Sequence, residues 1–173
     1  MGRLLQKAEG KNSVRFVLDT SALIGGIPLS HLGSELFTVE DVVEEAKSFV
    51  PRSVLEAGLV SGLLKVSSPS ARSLARVRRA CSRTGNVLSR ADTKLLALAL
   101  DLSAVLLTDD YSLQNVAAIL GVETRPVVTG RIEEVREWGA FCSACGRSFS
   151  PNRRVCPVCG SPLSRRVRKR HRL

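Results

Sequence analysis

The chain has little with which to perform imidazole chemistry. Its 173 residues include two histidines, His31 and His171, and neither lies in a motif. That argues against catalysis in which paired histidines pass a substrate proton back and forth. Aromatic residues are also scarce, at one Trp, one Tyr and five Phe. Long apolar runs are missing. The longest, Leu95 to Leu107, is 13 residues and is broken by Asp101 and Ser103, short of the roughly 20 needed to cross a bilayer. The opening MGRLLQKAEGKNS carries charge but no apolar centre or small-residue cleavage site, so it does not read as a secretory leader. A soluble, cytoplasmic protein with no membrane partner is expected.

The most informative shortage is of negative charge. Residues 138–173 contain nine Lys and Arg and no Asp or Glu, whereas residues 1–137 contain 17 basic and all 16 acidic side chains. The formal net charge of +10 is therefore almost entirely C-terminal. Four thiolates on one zinc ion would offset about two of those charges. A basic excess so confined, without the apolar face of a membrane-lying helix, points to a polyanion, nucleic acid above all. Arginine supplies 20 of the 26 basic residues, and its planar fork suits phosphates and base edges. Hydrophobic residues make up 44% of the chain, enough for one ordinary core and a small appendage.

Strand-like apolar runs occur at Val14–Leu18, near Phe37–Val39, at Leu64–Val66, at Ala104–Leu107 and within Gly121–Val128. Helical patterns separate them. One runs from about Glu40 to Phe49, with Thr38 and Asp41 resembling a capping box and Pro51 as a stop. Another, Ser70 to Arg83, places Leu74, Val77 and Cys81 on an apolar face and Arg72, Arg76, Arg79 and Arg83 on a basic one. Cys81 therefore reads as a core residue. Ser89 opens a helix that is apolar nearly all round from Leu95 to Leu102. Alternating strands and helices predict an α/β fold with a central parallel sheet flanked by helices. The expected divisions are an α/β domain over 1–128, a charged linker over 129–140, a metal module over 141–163 and a basic tail over 164–173. The tail should stay disordered until it meets RNA.

The metal module is legible in its spacing. Cys142-Ser-Ala-Cys145 and Cys156-Pro-Val-Cys159, followed by Gly146 and Gly160, can form two knuckles that close a tetrahedron of thiolates around structural zinc. Disulfides are disfavoured in a reducing compartment. A rubredoxin-like iron site is the rival, but an electron carrier has no need of nine basic residues around its cluster. Fewer than 30 residues bury no core alone, so metal binding should supply the module's folding energy. At least two of Trp138, Phe141 and Phe149 should pack on the knuckles. RNA contacts are expected from Arg147, Arg153 and Arg154 here, from Arg165, Arg166, Arg168, Lys169, Arg170 and Arg172 in the tail, and from the Arg72–Arg83 stripe.

Carboxylates form the second constellation. Asp19 follows the first strand and Asp109-Asp110 follow Ala104–Leu107, at the carboxyl ends where open α/β sheets place their sites. Asp92 opens the central apolar helix. On the helix from Glu40, the apolar direction set by Val39, Val42, Ala46 and Phe49 leaves Glu45 at its edge and Glu44 pointing to solvent. Each acid also has a structural reading, since Asp92 could close a capping box with Ser89, Asp109 or Asp110 could cap the next helix, and Asp19 could cap the turn at Thr20-Ser21. Gathered carboxylates require cations. An oxygen-only donor set suits Mg²⁺ or Mn²⁺, which can activate water and neutralise a phosphodiester. On this reading Asp19, Glu45, Asp92 and Asp109 or Asp110 gather around such ions, which neutralise the phosphodiester as its leaving oxygen departs.

Val17-Leu-Asp19-Thr-Ser-Ala-Leu23, Glu40-Asp-Val-Val-Glu-Glu45, Leu88-Ser-Arg-Ala-Asp92 and Leu107-Thr-Asp-Asp110 resemble, in order, the four acidic motifs of PIN-domain ribonucleases. Thr108-Asp-Asp-Tyr-Ser-Leu-Gln-Asn115-Val-Ala followed by a CxxC–CxxC ribbon is similar to one branch of that family. It is the NIN-one-binding (Nob) endonucleases of small-subunit maturation, in their compact archaeal form. The resemblance implies a metal-dependent endonuclease that processes the 3′ end of precursor small-subunit ribosomal RNA on the pre-ribosomal particle. It implies catalytic roles for Asp19, Glu45, Asp92 and Asp110, with Thr108 and Asp109 adjacent; Asp110 is preferred over Asp109 as the metal-facing residue. A toxin-type PIN ribonuclease and a non-catalytic RNA-binding assembly factor are the alternatives.

Overall fold

The computed structural model describes residues 14–24, 35–48, 52–128 and 130–173. His31, Phe49, Pro51 and the lead-in 1–13 lie outside the described residues. The chain first lays down β1 (Arg15–Leu18), α1 (Thr20–Ile24), β2 (Glu35–Thr38), α2 (Glu40–Ala46), α3 (Arg52–Val60) and β3 (Leu64–Val66). It continues with α4 (Ala71–Thr84), α5 (Arg90–Leu102), β4 (Val105–Leu107), α6 (Tyr111–Leu120) and β5 (Thr124–Arg125). These five strands form one parallel sheet in the order β3-β2-β1-β4-β5.

Both faces of the sheet are covered, and the period-two alternation of strand side chains decides what goes where. On β1, Val17 enters a core shared with Leu106 and with Val77, Leu95 and Val116 from α4, α5 and α6. Phe16 and Leu18 enter the opposite core with Leu36, Leu64, Val105 and Leu107, where Val43 and Ala46 of α2 pack. The expected α/β fold with a parallel sheet is what the chain forms. Helix α2 starts differently from the sequence reading. Its N-cap is Val39, with no side-chain cap; the Thr38 hydroxyl, fully buried, donates instead to the Leu18 carbonyl of the neighbouring strand at 2.9 Å. A buried hydroxyl takes the partner that the sheet places beside it. Helix α4 carries its buried side on Ser73, Val77, Ala80 and Thr84, with Leu74 and Cys81 at its margin. Burial raises the pKa of the Cys81 thiol.

A second, antiparallel sheet contradicts two expectations. Strand β6 (Glu134–Phe141) occupies most of the segment expected as a linker, and β8 (Ser164–Arg172) most of the tail expected to be disordered. Strand β6 is central, flanked by β7 (Ser148–Phe149) and β8 in the order β7-β6-β8. Backbone pairing runs the length of the two strands, and contacts that sequence order hides lie along it. Glu134 lies 3.4 Å from Arg170, and Glu137 lies 3.4 Å from Arg168 and 3.6 Å from His171. Arg165 and Arg166 lie over the Trp138 and Phe141 rings, 3.9 and 4.0 Å from their centroids. Cation–π stacking thus occupies aromatics expected at the knuckles.

The second sheet docks on the first domain through two consecutive amides of α6. Gln114, fully buried, donates to the Thr108 carbonyl and accepts from the Ile132 N–H at 3.1 Å. Asn115 exchanges hydrogen bonds with the Arg136 backbone, accepting its N–H at 2.7 Å and donating to its carbonyl at 2.9 Å. It also donates to Asn86 Oδ1. A cut after Val128 would remove one partner from each amide, leaving Gln114 with the Thr108 carbonyl and Asn115 with the Asn86 side chain. Gly85, in the left-handed region at φ +69°, closes α4 beneath the second sheet. A Cβ there would sit 2.5 Å from Pro151 Cβ and 2.9 Å from Trp138 Cβ. Gly85→Ala is therefore expected to destabilise the protein by about 2 kcal/mol or more, from backbone strain and overpacking together. Urea denaturation checks this, and an unchanged midpoint would contradict the docking described.

Candidate active site and metal centre

The sheet reverses its build direction at β1, with β2 and β3 to one side and β4 and β5 to the other. A crevice is expected at the carboxyl ends of β1 and β4. Asp19 is the first residue beyond β1, and Thr108, Asp109 and Asp110 are the first three beyond β4. Thr108 joins the two strand ends, donating through Oγ1 to Asp19 Oδ2 at 2.7 Å and accepting the Asp110 N–H at 3.1 Å. Ser21 repeats the link, donating to Asp19 Oδ2 and accepting the Asp109 N–H, each at 3.3 Å. The Thr20 N–H reaches Asp19 Oδ1 at 2.6 Å. Burial raises the Asp19 pKa above the usual carboxylate range and the charge of Asp92 pushes the same way, against the lowering by Thr108, Thr20 and Ser21.

The remaining acids are fixed in different ways. Asp92 completes a capping box with Ser89, its Oδ2 accepting the Ser89 N–H at 3.1 Å while its own N–H reaches Ser89 Oγ at 3.1 Å. The cap and the electrostatic effect on Asp19 coexist, because the cap engages one carboxylate oxygen. Asp110 is the N-cap of α6 and accepts the Ser112 N–H through Oδ1 at 2.6 Å. Asp109 turns to the exit of β5, accepting the N–H groups of Val127 and Val128 at 2.9 and 3.1 Å. On α2, Glu45 accepts from Thr20 Oγ1 at 3.1 Å, whereas Glu44 pairs with Lys47 in solvent. Asp41 bridges α2 to α5 through Lys94 and through Arg90 at 3.2 Å, a pairing that fixes the helix bearing Glu45. These donors are all oxygen, which suits a hard divalent cation, but among the described residues no three of these carboxylates are gathered as metal ligands.

The four cysteines converge. Their sulfurs all lie within 4.8 Å of one another, with Cys142–Cys159 at 3.5 Å and Cys145–Cys156 at 3.6 Å. A tetrahedron with metal–sulfur bonds of about 2.3 Å has edges of about 3.8 Å, so the cluster fits one zinc ion. Among the described residues this is the one group of three or more His, Cys, Asp or Glu side chains so gathered. The two knuckles repeat a local design, with Cys142 and Cys156 each accepting the N–H of the glycine four residues on, Gly146 and Gly160. Both glycines are left-handed, at φ +72° and +71°. Hydrogen bonds from Ser161 lower the Cys159 pKa to about 6, while the Cys145 thiol of the same cluster is pushed up to about 11. Arg147, Arg153 and Arg154 are exposed around the cluster, and Arg72, Arg76, Arg79 and Arg83 are exposed along α4.

Sequence reasoning treated Thr108 as a neighbour and passed over Gln114 and Ser21 as site architecture. The signal for the amides was available: two amides in the middle of the apolar helix YSLQNVAAIL demand buried partners.

A family model described as the PIN domain of ribonuclease matches residues 16–102. The chain is 41% identical over 154 residues to Endoribonuclease Nob1 of Pyrococcus abyssi, covering 87% of this chain and 92% of that one. It is 37% identical over 164 residues to Endoribonuclease Nob1 of Methanothermobacter thermautotrophicus, covering 90% and 93%. It is 34% identical over 157 residues to Ribonuclease VapC1 of Thermoplasma acidophilum, covering 90% and 79%. The chain belongs to the PIN-domain ribonucleases. Within that family it is a Nob1-like protein and a metal-dependent endoribonuclease. Among the described residues no helix is long and apolar enough to cross a membrane.

Proposed function

We propose that this endoribonuclease processes the 3′ end of precursor small-subunit ribosomal RNA, acting on the pre-ribosomal particle in the cytoplasm. In this reading Asp19, Asp92 and Asp110 hold Mn²⁺ or Mg²⁺, Glu45 is ligand or water orienter, and Cys142, Cys145, Cys156 and Cys159 hold structural zinc. The observation that carries it is the Thr108 hydroxyl, which ties the Asp19 carboxylate to the Asp110 backbone at the carboxyl ends of β1 and β4. A divalent cation there would acidify water and neutralise the phosphodiester. The chain's own residues contribute placement. Thr108, Ser21 and Thr20 hold the Asp19 rotamer, the Ser89 cap holds Asp92, and the Asp41–Lys94 pair holds α2 so that Glu45 meets Thr20. Asp109, committed to the backbone of Val127 and Val128, acts as a brace, which supports Asp110 as the metal-facing member of the pair.

The four-cysteine module and basic β8 favour this reading over a toxin-type ribonuclease, and the desolvated Asp19 favours it over a non-catalytic assembly factor. Incubation of the full chain with precursor RNA spanning the mature 3′ end tests it. A discrete cut with Mn²⁺ and none with EDTA is expected. RNA that is bound but uncut in both conditions would favour the assembly factor, and equal cutting of unrelated RNAs the toxin-type enzyme.

A further inference from the structure

Where β6 crosses the start of α6, the structure forms an open cleft of about 620 Å³, within the range of about 300–1,000 Å³ typical of small-ligand sites. Tyr111 and Ser112 of α6 form one wall, directly after Asp110, and Arg136 and Trp138 of β6 form another. Tyr111 is 55% exposed, and among the described residues it has no hydrogen bond or ring contact. The opposite situation holds for Trp138, whose ring is covered by Arg165. Arg165 is itself held by the Gly85 carbonyl at 2.8 Å. The cleft thus has one aromatic face fixed within the protein and one left to solvent.

The charges are mixed in an informative way. Arg131 and Arg172 line the cleft and are exposed, with Arg131 spending one N–H on the Thr124 carbonyl at 3.2 Å. Glu133 and Glu134 also line it. Glu134 is neutralised by Arg136 at 2.6 Å and Arg170 at 3.4 Å. Carboxylates inside repel a phosphate but accept the N–H groups that nucleobases present, while exposed arginines favour phosphates at the edge. Gln114 and Asn115 fix the two walls relative to one another.

We propose that this cleft receives one unpaired base of the RNA next to the scissile phosphate, stacked on Tyr111, with Arg131 and Arg172 holding the flanking phosphates. The inference rests on the reading that Asp110 belongs to the nuclease site, since Tyr111 follows it directly. It assigns to the junction of the two modules the selection of single-stranded RNA.

The test uses the full, zinc-loaded chain without added Mg²⁺ or Mn²⁺ and a short single-stranded oligoribonucleotide carrying 2-aminopurine, whose fluorescence is quenched by stacking. Wild type and Tyr111→Phe should quench it. Tyr111→Ala should lose the quenching and bind about tenfold more weakly, the scale of one base–aromatic stack, with duplex RNA bound as before. Arg131→Ala should lower the slope of log affinity against log salt by about one. Tyr111→Ala with unaltered quenching, or with equal loss for duplex RNA, would overturn the proposal. The two readings fail separately. If wild type cuts precursor RNA with Mn²⁺ and Tyr111→Ala still quenches, the pocket falls and the nuclease stands. If Tyr111→Ala loses quenching and wild type cuts nothing, the pocket stands and the nuclease reading falls.

Discussion

Asp19→Asn should abolish cleavage and yield a more stable protein. Loss of a central metal-binding carboxylate removes several kcal/mol of transition-state stabilisation, roughly a thousandfold in rate. RNA affinity should hold or rise slightly, because a negative charge leaves a site for a polyanion. The stability gain follows from the direction of the pKa shift. Burial raises the folded-state value of Asp19 above its unfolded one, so the unfolded chain releases this proton first. Stability linked to Asp19 is present below the unfolded pKa and is lost as pH rises through the folded one. At neutral pH the ionised carboxylate is a net cost to the fold, and Asn removes it. Thermal melts of the zinc-loaded chain without added Mg²⁺ or Mn²⁺ should show Asp19→Asn more stable at neutral pH, with the difference vanishing in acid. Wild-type cleavage with Mn²⁺ by the variant would refute the assignment of the site.

Cys156→Ser should have the largest structural effect. Cys142 and Cys156 are the buried pair of the cluster, and small modules of this kind draw about 10–16 kcal/mol of folding free energy from zinc. The variant should lose its one zinc per chain and unfold the knuckles. It should also loosen the β6–β8 pairing that orders the basic strand. RNA affinity should fall and its salt dependence become shallower as ordered phosphate contacts are lost. Elemental analysis with salt-dependent binding measures both. Retention of stoichiometric zinc, or an unchanged slope, would contradict this account, and iron in place of zinc would indicate the rubredoxin-like alternative.

The parallel sheet was legible because Val17, Leu36 and Leu106 sit in short apolar runs punctuated by helices. The cysteine cluster was legible because its spacing is a local feature, as was the placing of Asp19 and Asp109-Asp110 just beyond strand ends. What the sequence hid was pairing at a distance. Glu134 and Glu137 read as linker charges until Arg168, Arg170 and His171 come to lie beside them more than 30 residues later. The tail lacks apolar content, so hydrophobic periodicity gave no sign of β8; its order comes from backbone pairing, ion pairs and rings under arginines. Gln114 and Asn115 lie within an apolar helix, and their partners, the backbone at Ile132 and Arg136, come 18 and 21 residues later. Asp92 shows a different limit. Its capping and electrostatic roles were posed as alternatives, and the geometry accommodates both.

The central claim is that this carboxylate crevice hydrolyses RNA by in-line attack of water, without help from the substrate's 2′-hydroxyl. The ends of the products formed from precursor RNA with Mn²⁺ test it most directly. The account predicts a 5′-phosphate and a 3′-hydroxyl at the new ends. A 2′,3′-cyclic phosphate facing a 5′-hydroxyl would contradict it.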